Sequence, residues 1–485
     1  MKQGERARFL EHPLEYSLAL FAEVRPGEAI TTLLLTATVF LLLTSYYLLK
    51  VAREPLILLG GGAEVKSYAA AGQSILLIGF AFAYGALAKA VTRIRLVVSV
   101  SLFFVSNLVL FWILAATSVP LGIPFYLWVG VFNTSVVAQF WGFAADLLGD
   151  ERGKRLFPVL GIGSSLGAVA GSALAKILVD QKFGPRSLMA VAAVTLLVCV
   201  GLTLIVSARE ARAQPPDAKK EEPLSGPNGF MLLLSDRYLL FLGVFAIILN
   251  AVNTTGEYVL DRTLLDAAKD HADPKAFIGA FKASYFQWVN VAGVLLQMFA
   301  VSRILKRIGV ARALFIMPVI SIFGYGVIAF IPILNLVFAA KVAENALDYS
   351  LENTSRQALW LPTSREAKYK AKQVVDTFLV RTGDVASAGI VALGTSLGFA
   401  TAHFAMTNVI LVVLWFTTLV FLVREYKKKD EVGEPTAMRD EKAEREKKAE
   451  KASAEAEKDL RDTEKAKQAK AQNEKRARSD KSGDD

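Results

Sequence analysis

The chain has 485 residues, 53% of them hydrophobic, a mean hydropathy of +0.40 and a formal net charge of +10. Apolar content that high argues against a string of soluble domains and for a membrane protein. The lone Cys199 and the well-separated His12, His271 and His403 leave no disulfide framework, Cys-ligated zinc site or histidine-based catalyst to propose.

The chain opens on a polar segment, 1–28, without a cleavable signal pattern. Within it, Leu14 to Val24 is too short to span and is expected to lie as an amphipathic stretch on the inner membrane surface. Each crossing takes about 20 apolar residues. Twelve segments qualify, near 29–50, 68–90, 94–117, 121–147, 156–179, 185–207, 236–258, 277–301, 310–331, 333–356, 374–397 and 402–424.

In the first of these, Tyr46, Lys50 and Glu54 recur every four residues, with Arg53 beside them, and so share a helix face near the outer end. Pro55 and Gly60 to Gly62 are expected to break or bend the helix there. Lys50 is either an interfacial anchor or a substrate contact. The fourth helix carries Asn133, Thr134, Gln139 and Asp146, the last close enough to Arg152 and Lys154 to form an inner-face gate. GIGSSLGAVAG in the fifth lacks the preceding strand of a phosphate loop, and Gly163, Gly167 and Gly171 at spacing four suit close helix packing.

Paired prolines, charge and glycine mark 208–235 as a cytoplasmic linker between two halves, 29–207 and 236–424. In the seventh helix Asn250, Asn253, Thr254 and Glu257 form a polar stripe, and the outer loop after it is read as Asp261 to Lys275. Lys282, about a turn into the eighth helix, is placed to pair with Glu257 or to meet an anion. The tenth helix concentrates charge: Lys341, Glu344, Asn345, Asp348, Glu352, Ser355 and Arg356 fall within about 60° of one line at 100° per residue. A basic loop from Arg365 to Lys372 follows, then an apolar helix bearing Asp376, Arg381 and Asp384. A charge at bilayer depth costs at least ~2.5 kcal/mol, so these groups are expected to face partners or a water-filled path.

Lys and Arg cluster in alternate loops and in the tail, 425–485, which orients both termini to the cytoplasm. The positive charge is therefore assigned to membrane topology, with no nucleic-acid partner expected. The tail is rich in Lys, Glu and Ala and holds too few large apolar residues to bury a core. At an offset of about 214 residues, Lys89 and Arg93 match Arg303 and Arg307, and Lys154 matches Lys368. This repeat predicts an all-α membrane protein of twelve transmembrane helices in two pseudo-symmetric six-helix bundles, similar to the major facilitator architecture. Such a fold binds its substrate near the midplane between the halves and rocks them to alternate access.

The candidate pathway cations are Lys50, Arg53, Lys282, Lys341, Lys372 and Arg381, and the candidate anions are Glu257, Glu344, Asp348, Asp376 and Asp384. Such a mixture suits a polyvalent anionic solute. No P-loop sequence occurs, and neither a cofactor nor an enzymatic activity is expected.

The stretch DYSLENTSRQALWLPTSREAKYKAKQVVDTFLVRTGD, with SYYLLKVAREPL and VVAQFWGFAADLL, resembles the nucleotide (ATP/ADP) translocases of obligate intracellular bacteria and plastids. By that resemblance Lys50 and Glu257 match a basic and an acidic functional position, Lys372 the lysine of GKAAID and Arg381 the arginine of RLGKSG. Asp384 and Asp348 stand where the family has lysines, and Val129 lies where its fourth helix is acidic. The resemblance implies exchange of ATP, ADP or another anionic metabolite across a bacterial inner membrane by a monomeric carrier. Proton-coupled transport through Asp348, Asp376 or Asp384 and a non-transporting scaffold remain as alternatives.

Overall fold

A computed structural model describes residues 24–25, 27–211, 229–364 and 367–433. Most of the segment expected on the membrane surface, the middle of the linker and the tail beyond Gly433 lie outside the described residues. Among the described residues, eight helical stretches are long and apolar enough to cross a membrane. Ala29–Leu77 among them continues across a break at Gly62, and the remaining crossings are short or carry charge.

Twelve crossings result. We number them α1 (29–61), α2 (63–90), α3 (Arg93–Leu114), α4 (122–148), α5 (150–180) and α6 (Pro185–Ala211) in the first half. In the second, α7 is Arg237–Ala268, and α8 is Pro274–Leu295 continued through a π-helical stretch, Leu296–Val301, to residue 308. Next come α9 (Ile316–Phe330) and α10, which joins Leu334–Leu347, the π-helical turn Asp348–Glu352 and Asn353–Ala358. Finally α11 runs from Ala367–Ala371 through a second π-helical turn, Val375–Leu379, to Val380–Ser396, and α12 is Thr401–Gly433. A short helix, Gly229–Ser235, precedes α7 and packs against it. Residues to Val423 form one compact unit; of a second, Arg424–Asp485, the described part to Gly433 is helical.

The first helix does not end near residue 50, and Pro55 does not break it. It runs on to Gly62, whose φ of 78° and ψ of 179° turn the chain sharply into α2. Proline is tolerated in a membrane helix when neighbours satisfy the backbone group it frees, whereas a positive φ with extended ψ is a conformation reserved for glycine. The extra turns carry Arg53 and Glu54 into the helical core.

The glycine spacing in α5 serves packing. A Cβ on Gly167 would stand 2.3 Å from the Phe40 carbonyl oxygen, and one on Gly171 would stand 2.7 Å from Thr44 Cα. Thr44 Oγ1 in turn donates to the Gly167 carbonyl at 3.2 Å. The second half repeats this pairing between α7 and α11, where a Cβ on Gly383 would lie 2.6 Å from the Ile247 carbonyl oxygen. Close α1–α5 and α7–α11 seams thus pull the helices of each half together around small residues.

At the basic end, Arg152 ties distant segments together. It pairs with Glu210 at 2.8 Å and Glu28 at 3.5 Å, while Arg155 donates to both Glu28 oxygens at 2.9 and 3.0 Å. Burial opposes the charge on Glu28, but the Arg155 hydrogen bonds outweigh it and hold that carboxyl below its usual range. These contacts clamp α1, α5 and α6 of one half to each other.

Candidate functional site

Between the halves lies a cavity of about 280 Å³, walled by α1, α2, α4, α7, α8, α10 and α11. Its lining includes Lys50, Arg53, Glu257, Arg381 and Asp384 from the sequence candidates, and the aromatic rings of Tyr46, Tyr126, Phe286 and Tyr349. Asn133 and Thr134 of α4 and Asn253 and Thr254 of α7 also face it.

Toward the end opposite the basic loops, a chain of buried ion pairs closes the cavity. Lys66 at the start of α2 holds Glu54 at 2.6 Å and Asp261 of α7 at 2.7 Å. Lys282 of α8, fully buried, meets Asp261 at 2.5 Å, Glu54 at 3.6 Å and Glu257 at 3.7 Å. The Asp261 contact is a Coulombic pair without hydrogen-bond alignment, since neither atom has a hydrogen-bond partner. Arg53 completes the set, pairing with Glu54 at 3.2 Å and lying 4.5 Å from the Tyr126 ring centroid. Three carboxylates, Glu54, Glu257 and Asp261, therefore face three cations, Arg53, Lys66 and Lys282. The Lys66–Asp261 and Lys282–Glu54 pairs join the two halves, as does the hydrogen bond from Tyr258 to Glu64 at 2.8 Å.

Asp261 is thus no loop residue. It sits in α7, 1% exposed, four residues after Glu257 and on the same face. Lys66 and Asp261 are the functional residues absent from the sequence candidates, whereas Glu54 already shares the Tyr46–Lys50 face. The i, i+4 continuation from Glu257 to Asp261 was the available signal, hidden by reading DRTLLDAAKD as the start of a loop.

Lys50 is arranged differently. Its ammonium lies 4.2 Å from the Phe286 ring centroid, 5.3 Å from that of Tyr47 and 5.9 Å from that of Tyr46, and among the described residues no carboxylate pairs with it. The aromatic faces stabilise the cation by cation–π attraction without neutralising it. Across the cavity, Asp384 accepts from Asn250 at 2.8 Å, Thr254 at 2.9 Å and Arg381 at 3.0 Å, so this pair is self-satisfied. Over the cavity lining and Lys282, five cations (Lys50, Arg53, Lys66, Lys282, Arg381) meet four carboxylates (Glu54, Glu257, Asp261, Asp384), with Glu64 a further carboxylate at the same seal. Of the five, Lys50 is the one without a carboxylate within ion-pair distance among the described residues.

Of the stripe expected on α10, Asn345 lines this cavity and the other six residues do not. Lys341 and Glu344 are buried and pair at 2.8 Å, with Asn253 Oδ1 accepting from Lys341 at 3.0 Å and Tyr325 donating to Glu344 at 2.5 Å. Asn345 is joined there by Tyr349 one turn on, and donates to Glu257 at 3.0 Å. Lys341 and Glu344 lie in the regular helix before the π-helical turn at Asp348–Glu352 and turn their charges to partners on α7 and α9; the turn shifts the angular register only for the residues that follow it. Lys372 and Asp376 also lie outside the cavity, as a partly exposed pair 3.8 Å apart. Among the described residues, no cluster of three or more His, Cys, Asp or Glu side chains could hold a metal ion.

This architecture, two six-helix halves around a polar central cavity, defines a multi-pass membrane protein of transporter fold. The sequence model described as the Major Facilitator Superfamily matches residues 29–343, and the chain belongs to that superfamily. Within it, the chain is similar to ADP,ATP carrier protein 1 of Chlamydia pneumoniae, 21% identical over 349 residues, which are 61% of this chain and 66% of that protein. ADP,ATP carrier protein 3 of Rickettsia conorii is likewise 21% identical over 352 residues, 62% of this chain and 69% of the relative. The chain spans just under two thirds of the chlamydial relative's length. Among solved structures, the nucleoside transporter NupG superposes with a TM-score of 0.61 at 13% identity, covering 80% of this chain and 98% of that one. The POT family transporter PepTSo gives 0.60 at 13%, covering 83% and 99%. At these identities the structural likeness speaks for the fold.

Proposed function

We propose that the chain is an inner-membrane carrier that exchanges nucleotides, ATP and ADP first among them, or a related phosphorylated metabolite, by alternating access. The observation that carries this reading is Lys50, a cavity-lining cation that rests on aromatic rings and has no carboxylate within ion-pair distance among the described residues. An anion entering the cavity gains a cation that no internal carboxylate already satisfies, and Arg53 and Arg381 stand ready to exchange their partners for phosphate oxygens. Tyr46, Tyr126 and Tyr349 offer ring faces on which a base can stack, a contact worth about 1–3 kcal/mol per base. The similarity to proteins named ADP,ATP carriers supports the same class of solute.

In this reading the basic loops and both termini are cytoplasmic, the carrier works as a monomer, and the Lys66–Asp261 and Lys282–Glu54 pairs are the outer gate. Lys341 and Glu344 act as a buried strut between α7, α9 and α10. Lys372 and Asp376 sit at the inner rim, where they can re-pair as the halves rock.

Counterflow tests the proposal. Proteoliposomes loaded with unlabelled ATP are expected to accumulate labelled ADP transiently, and empty vesicles are not. Equal uptake by loaded and empty vesicles, or none by either, would remove the exchange reading.

A further inference from the structure

The π-helical turn of α10 holds a second set of polar groups that the cavity does not use. Glu352 is 1% exposed, and both of its carboxyl oxygens are buried without a hydrogen-bond partner. Asp348 Oδ1, one position before the cavity-lining Tyr349, is buried and unpartnered as well, and so is the Ser355 hydroxyl. Asp348 and Glu352 open and close the π-helical turn, and Ser355 follows it within Asn353–Ala358. Orphaned oxygens of this kind are rare in buried positions, and π-helical turns concentrate at functional sites.

The charged groups around this turn do not supply the missing partners. On α10 itself, the Lys341 ammonium is occupied by Glu344 and Asn253, and Arg356 lies near enough for its charge to act on Asp348 and Glu352 but closes no ion pair with either within 4 Å among the described residues. From α8, which packs against the turn, Leu296–Val301 contributes no titratable side chain. Farther along α8, Lys282 is held by Asp261, Glu54 and Glu257, and Tyr285 by Glu257 and Asn345. Gln297 accepts from Thr354 rather than reaching Glu352. An ionised carboxylate left so placed would carry a desolvation cost of several kcal/mol with no compensating pair; a proton removes most of that cost and turns the carboxyl into a donor for its neighbour. Asp376 and Asp384 differ, since Lys372 and Arg381 with Asn250 and Thr254 already serve them.

We propose that Glu352, seated beside Asp348 on the π-helical turn of α10, is a proton-binding site that ties proton uptake and release to the movement of this helix. The same turn presents Tyr349 to the cavity, and Asn345 one turn earlier holds Glu257. When rocking of the halves brings water to the turn, the Glu352 O–H passes its proton to that water and the carboxylate is hydrated. When the turn is buried again, a proton must return before it packs. The proposal rests on the carrier reading for its consequence, while the proton site itself can be tested without transport.

Infrared spectra of the full chain reconstituted in lipid, titrated with acid and base, read the site directly. At neutral pH, well above the usual glutamate value of about 4.3, the unaltered protein is expected to show the carbonyl stretch of a protonated carboxyl. E352Q is expected to abolish that signal, and D348N to shift its titration; the second variant serves if the first does not reconstitute. A neutral-pH spectrum without a protonated carboxyl, or one that neither variant alters, would overturn the proposal. Counterflow separates the two readings. Loss of the acid dependence of exchange in E352Q, with exchange itself retained, is the expected companion result. Absence of any exchange in the unaltered protein sinks the carrier reading and leaves the infrared signal to decide the proton site.

Discussion

Replacing Lys282 by Met is expected to destabilise the folded protein by about 3–5 kcal/mol, seen as a lower thermal unfolding temperature of the purified protein. Lys282 is fully buried and lies within 4 Å of Asp261, Glu54 and Glu257. Without it, three carboxylates would share Lys66 and Arg53 alone, in surroundings where an unpaired charge is costly. The cost should shrink when Asp261 is changed to Asn in the same protein, because the carboxylate that loses most is then gone. A Lys282→Met, Asp261→Asn pair whose losses simply add would contradict the network, since contacting charges couple by about 0.5–3 kcal/mol.

Lys50→Ala is expected to do the reverse: little to stability and much to transport. Its ammonium rests on Phe286, Tyr47 and Tyr46 and neutralises no carboxylate, so truncation leaves no buried anion behind. Half-saturation of counterflow should weaken by at least about thirtyfold, equivalent to about 2 kcal/mol, the lower end for truncating one partner of a hydrogen-bonded charge pair. Lys50→Arg should recover part of it, because a guanidinium also binds phosphate and stacks on rings. Unchanged half-saturation in Lys50→Ala would remove Lys50 from the solute's path. The opposite signatures of Lys282 and Lys50 separate a cation that holds the halves together from one kept for the solute.

Much of this arrangement was legible in the sequence because it is local. The Tyr46–Lys50–Glu54 face, the polar stripe of α7 and the glycines of α5 are written at helical spacing, and hydrophobic runs mark the crossings. What was hidden depends on contacts between distant segments. Lys66 follows three glycines and so resembles loop sequence, yet Gly62 alone makes the turn and α2 begins at once, delivering Lys66 to Asp261. Nothing at local range ties a lysine near residue 66 to an aspartate near 261. The face of α10 is hidden for a different reason: Lys341 and Glu344 share a side of the helix with Asn345 but find partners on α7 and α9, and beyond them the π-helical turn changes the angular register around Asp348 and Glu352. Helical projection assumes a constant period, and α10 does not keep one.

Alternating access requires the ion pairs between Glu54, Lys66, Asp261 and Lys282 to part as the two halves rock. Spin labels at Gln181→Cys and Lys275→Cys, both exposed at the end these pairs close, would follow the motion in a Cys199→Ser background. The distance between them, measured in lipid with and without nucleotide, is expected to have a short component that dominates without ligand and a longer one whose population grows when nucleotide is added. One distance, unchanged by nucleotide, would contradict the account.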